Sequence, residues 1–107
     1  MRLTALAVTA QATALADLLK GGALVVLNDG AQPLASCLFG QITQNAGTLQ
    51  AQFRGESQGY GIPARFVAVT AQGAIVGEGD PSDLSIDIPE VTVNATLIGT
   101  FAHTVPR

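Results

Sequence analysis

The sequence has no tryptophan, one tyrosine, one cysteine and one histidine, and only 12% of its residues are charged. Each scarcity removes a class of function. A single cysteine, Cys37, excludes an internal disulfide and any zinc cluster built on cysteines. With His103 as the only histidine, no Ser-His-Asp or Cys-His set can be argued from spacing, and a zinc site on His103 and Cys37 lacks ligands. Five Lys plus Arg against eight Asp plus Glu give a net charge of −3. That balance does not make the basic face that nucleic acid needs. No apolar run approaches the roughly 18 residues of a membrane span. One tyrosine and four phenylalanines, the latter on apolar strand patterns, count against an aromatic-lined sugar cleft.

What is present is apolar: 48% hydrophobic residues and a mean hydropathy of +0.38. Charged residues usually reach about 25%. This composition argues against disorder and for a surface partly covered by a partner. The 107 residues fit one domain, 1–107. Surface scaling gives roughly 5,600 Å² folded against roughly 15,800 Å² unfolded, enough burial for one core.

Residues 3–20 read as a helix. Leu3, Leu6, Ala7, Ala10, Ala14, Leu15, Leu18 and Leu19 form most of a stripe at helical spacing. Thr4 is the candidate N-cap, Lys20 suits the C-terminal dipole, and Gly21-Gly22 offers a left-handed cap. A short signal peptide ending near Ala14 or Ala16 is the alternative, but its apolar stretch is brief and interrupted by threonine.

After Gly22, short β-branched runs alternate with Gly, Pro, Asn and Asp. Strands are expected at 23–27, 34–39, 48–53, 65–70, 74–77, 84–88 (ended by Pro89) and 91–103, with a bend at Gly99. The loop 28–33 carries an Asp-Gly pair, 55–63 is Gly-rich, and 71–73 is a tight turn. The pattern predicts a mainly β fold: a jelly-roll-like β-sandwich over about 23–104 with an N-terminal α-helix.

The segments Gly21-Gly22-Ala23-Leu24-Val25-Val26, Gly30-Ala31-Gln32-Pro33, Arg65-Phe66-Val67-Ala68-Val69, Gly73-Ala74-Ile75-Val76-Gly77-Glu78-Gly79, Ser82-Asp83-Leu84 and Thr100-Phe101-Ala102-His103-Thr104 occur in order. Together they resemble small virion structural proteins of tailed phages and prophages, most of all the capsid cement or decoration type. The resemblance implies a non-enzymatic protein that binds the major capsid protein and stabilises the shell by non-covalent contacts. It implies a place on the capsid surface, with the host cytoplasm before assembly, and no cofactor. A dimer is the first expectation for a homo-oligomer. A tail or host-recognition component is the nearest variant, and a small-ligand or carbohydrate-binding β-module is the alternative.

The candidate partner contacts are Leu3 and Leu6 on the helix, Tyr60 in the Gly-rich loop, and Glu78, Asp80 and Asp83. Those three acids open a stretch that also holds Asp87 and Glu90, five of the eight acids within 13 residues. A solvated rim docking on a basic patch is the plain reading, and Ca²⁺ held by carboxylates is the other. Gly55 to Gly61 lacks the Lys-Ser/Thr and following helix of a phosphate loop. Asn94-Ala95-Thr96 falls mid-strand and reads as a chance glycosylation match.

Overall fold

The computed structural model describes residues 1–88 and 90–106. The strand end expected at Pro89 lies outside them. Helix α1 spans Ala5–Leu19, with Thr4 as N-cap, its hydroxyl accepting the Ala7 N–H at 3.3 Å. Alanine and leucine dominate and favour helix. Gly21, at φ 76°, ends it in a left-handed turn. The buried face differs from the expected stripe. Val8, Ala12 and Leu19 are buried, whereas Leu6 is 82% exposed and Leu18 53%. Apolar residues surround this helix, so hydropathy alone marks no face. Attachment selects it: the Gly22 carbonyl accepts the Phe39 N–H at 3.1 Å. A Cβ on Gly22 would lie 2.0 Å from the Val69 carbonyl, so only glycine lets the chain cross there.

Six strands follow: β1 (Ala23–Leu27), β2 (Pro33–Asn45), β3 (Thr48–Ser57), β4 (Arg65–Val69), β5 (Ile75–Gly79) and β6 (Thr96–Thr104). They make one antiparallel sheet in the order β5-β4-β1-β2-β3-β6. The β1–β2 turn is tied by Asn28, whose side-chain oxygen accepts the Gln32 N–H at 2.9 Å. Gly73, at φ 85°, makes the β4–β5 turn.

A jelly-roll sandwich needs two packed sheets. The described residues form one open sheet, and the runs expected to extend the β-structure are its lid instead. Leu84 touches the sheet by a single bridge to Phe101, and Val91 bridges Gly61. Between β5 and that bridge, Pro81–Asp83 forms a short 3-10 turn capped by Asp80. Asn94, at φ 65°, breaks the expected strand 91–103, and β6 begins at Thr96. The alternation of Leu84, Ile86 and Ile88 is real, but it serves packing on the core and not a ladder. Conversely, β2 and β3 run longer than their apolar segments. Past an irregularity between Phe39 and Ile42, β2 continues as a mostly polar arm paired with β3. Glu56 and Ser57, expected within the Gly-rich loop, are the end of β3.

The concave face holds the core: Leu24, Val26, Leu34, Cys37, Leu49, Phe53 and Phe66 among others. Three strands separate β4 from β6, yet the Phe101 ring lies 5.8 Å from Phe66 and 6.1 Å from Phe39. The sheet therefore rolls towards a barrel without closing. Ser57 is the one buried polar residue described; its hydroxyl donates to the Thr92 carbonyl and accepts the Ala95 N–H at 2.8 Å. This holds the lid over the core. A smaller cluster of Val8, Ala12 and Val105 fixes the start of α1 beside the β2–β3 tip.

Candidate functional site

Two surfaces stand out from the register. The first lies on the convex face. Strand pairing aligns Ile75, Val69, Ala23, Leu38, Arg54 and Ile98 in one row across all six strands. Ile75, Leu38 and Ile98 are 70%, 66% and 57% exposed. Sequence reading missed this row, although a signal was there. Ile75-Val76, Leu38-Phe39 and Leu97-Ile98 are adjacent apolar pairs. Neighbours on a strand face opposite sides, so a single-layered sheet must turn one of each pair outward.

The second is a cleft where the rolled sheet stays open. Leu15 and Leu19 of α1, Phe66 and Ala68 of β4, Val76 of β5 and Phe101 of β6 give it apolar walls, with Asp83 and His103 at the rim and the β5 backbone at Gly77–Gly79 along one side. Its cause is a taper in side-chain size. Leu24 pairs with Ala68, and Ala68 with Gly77, so the inward row shrinks to nothing at the β5 edge. A Cβ on Gly77 would meet no atom within 4 Å.

The expected contacts separate into two groups. Leu3 is half-buried against Val8, Ala12 and Val105, which removes much of it from a partner's reach, while Leu6 is free. Both sit near the β2–β3 tip. Tyr60, Glu78, Asp80 and Asp83 belong to the opposite end, where β1, β3 and β5 finish. Tyr60 is 70% exposed beside Asn28, Asp29, Ile62 and Glu90. A hydrogen bond to Glu90, and then that carboxylate's charge, raise the Tyr60 phenol above its ordinary pKa. Asp80 accepts the Ser82 N–H at 2.9 Å, which holds its carboxyl below the usual range. The Asp83 carboxylate in turn accepts the Asp80 N–H at 3.3 Å. These acids thus shape a turn. Among the described residues no three His, Cys, Asp or Glu side chains gather as a metal site, so the Ca²⁺ alternative gains no ligand set.

Comparison with protein-family models, curated proteins and solved structures finds no match for this chain. Local chemistry therefore has to speak for the site. Cys37 is fully buried, and burial pushes its thiol up to about 11. It is a packing residue, not a nucleophile. His103 is exposed on β6 at the cleft rim, with Asp83 on the same rim. Among the described residues no helix is long and apolar enough to cross a membrane. The arrangement offers apolar surface, a β5 edge unpaired among the described residues, and an acidic turn: means of binding a macromolecule.

Proposed function

We propose that this chain is a capsid cement protein of a tailed phage, binding the major capsid protein and stabilising the shell by burial. The observation that carries the reading is the exposure of three large apolar side chains, Ile75, Leu38 and Ile98, on one face of the sheet in a chain with 12% charge. A partner face laid over this side of the sheet would cover all three, with Arg54 between Leu38 and Ile98 as a polar contact. The shape agrees. The accessible surface is 6,346 Å², against roughly 5,600 Å² for a compact monomer of this mass. Cover by neighbouring subunits would hide the row, and many weak copies would add up across the shell. In this reading the protein resides on the virion and passes through the host cytoplasm before assembly. A homodimer remains the first assembly to look for.

The test is the copy number in purified particles from the source, measured by quantitative mass spectrometry against the major shell protein. A ratio equal to the shell subunit, or a simple fraction of it, is the expected result. A handful of copies would point to a tail component, and absence would overturn the virion reading.

A further inference from the structure

The second surface carries an inference that does not depend on the virion reading. β5 is an edge strand, paired only with β4. The other edge, β6, is partly occupied: Leu84 bridges Phe101, and the Ser85 N–H bonds the Thr100 carbonyl at 2.9 Å. β5 has no such cover among the described residues. The Thr70 N–H bonds the Ala74 carbonyl at 2.9 Å, which sets the alternation of the hairpin. After the irregularity between Ala68 and Val69, Gly77 and Gly79 fall in bonding pairs with Ala68 and Phe66. Glu78 falls between them, so its N–H and carbonyl point away from β4, to the open side.

A bare edge alone gives backbone hydrogen bonds. Recognition by strand addition also needs pockets for alternate side chains. Here the apolar cleft of Leu15, Leu19, Val76 and Phe101 borders the same edge on the concave side. Every second residue of an added strand would face into it. The rim then decides what kind of strand. Asp83 lines it beside His103, with no Lys or Arg, Glu78 pairs with Val67 on the convex side of the same edge, and Asp80 is the cap of the same turn. A second copy paired through β5 would bring two such acidic sets together, which like-charge repulsion disfavours. A basic segment meets the opposite condition.

We propose that the β5 edge and its cleft accept an extended segment of a partner protein, antiparallel to β5, with alternate apolar residues in the cleft and Lys or Arg on the opposite face beside Glu78. The probe is a fluorescein-labelled peptide Lys-Val-Thr-Val-Thr-Val-Lys, titrated with the full chain and read by anisotropy. Saturable binding that weakens with salt is expected. The glutamate-flanked peptide, and one with proline at the central position, should each bind about tenfold weaker. Glu78→Pro removes the outward N–H without breaking a bond to β4, so it should fold by circular dichroism yet bind about tenfold weaker or less. Glu78→Gln keeps the backbone and should weaken only the lysine-flanked peptide. If Glu78→Pro fails to fold, Glu78→Gln and the peptide series still decide. The proposal is overturned by the absence of saturable binding, by equal binding of the proline-interrupted or glutamate-flanked peptide, or by full binding to folded Glu78→Pro. It is also overturned if sedimentation shows a dimer that Glu78→Pro dissolves, since a second copy would then occupy the edge.

Discussion

Ser57 shows how much one polar atom can hold in a chain with few charges. Its hydroxyl links β3 to the Thr92 carbonyl and the Ala95 N–H under the lid. Ser57→Ala should cost about 1–3 kcal/mol in chemical denaturation, because both lid groups lose a buried partner. Exchange of the Ala95 amide should speed up in the same variant. Gly55 is intolerant for a different reason. A Cβ there would lie 2.4 Å from the Ser36 carbonyl and 2.7 Å from the Cys37 Cα, both backbone atoms. Gly55→Ala should therefore destabilise by about 3 kcal/mol or prevent folding. Cys37 makes a pH prediction. Its folded pKa, about 11, stands above the ordinary 9.0, so its thiolate forms more readily in the unfolded chain. The stability it contributes is complete below pH 9 and is lost as pH rises towards 11. Wild type should lose about 2–3 kcal/mol more than Cys37→Ala across that window, read from denaturation midpoints. Mass labelling with a maleimide should leave native Cys37 unmodified at neutral pH.

At the scale of elements, strands with a continuous apolar run were legible, and those that borrow their support were not. Ala23–Leu27 and Arg65–Val69 lie mid-sheet or next to the edge with buried residues along most of their length, so composition alone marks them. The outer half of β2, past Phe39, is mostly polar and in part meets α1, whereas the facing half of β3 was legible because Leu49, Ala51 and Phe53 alternate inward. Gln44 makes that contact, its amide donating to the Thr9 carbonyl at 3.1 Å and to the Thr13 hydroxyl at 2.9 Å. Hydropathy cannot register a strand fixed by such bonds. The segment from Leu84 to Ile88 misled for the reverse reason: Leu84, Ile86 and Ile88 alternate as a strand would, but they pack on the core and, among the described residues, only Leu84 bridges a strand. On α1, the capping signals at Thr4 and Gly21 were readable, while the buried face was not. Leu19, 1% exposed, is its main anchor. Leu19→Ala should cost about 2–5 kcal/mol, whereas Leu6→Ala should leave the thermal midpoint unchanged. Of the candidate site, the acidic turn and Tyr60 could be picked out as exposed chemistry. The convex row needed the register, since Ile75, Leu38 and Ile98 are far apart in sequence.

For the whole molecule, the exposed row and the surface in excess of a compact monomer lead to one expectation. Leu38→Lys with Ile98→Lys should leave the unfolding midpoint unchanged, since both side chains already face water, and should abolish recovery with purified particles after sedimentation. Retention at wild-type levels would place the binding surface elsewhere. The molecule measures 44 × 24 × 22 Å, and its two longest strands, β2 and β3, pair with α1 packed against both. That pairing fixes the length between Leu6 near one end and the Tyr60 and Asp80 loops near the other. A round domain can only cap a site, whereas a strut sets the distance between two. Because strands advance about 3.4 Å per residue, adding two residues to each arm beyond Phe39 and before Phe53 would keep every side chain on its face and lengthen the reach by about 7 Å. Any pair of sites that this protein joins would then fall out of step by that increment.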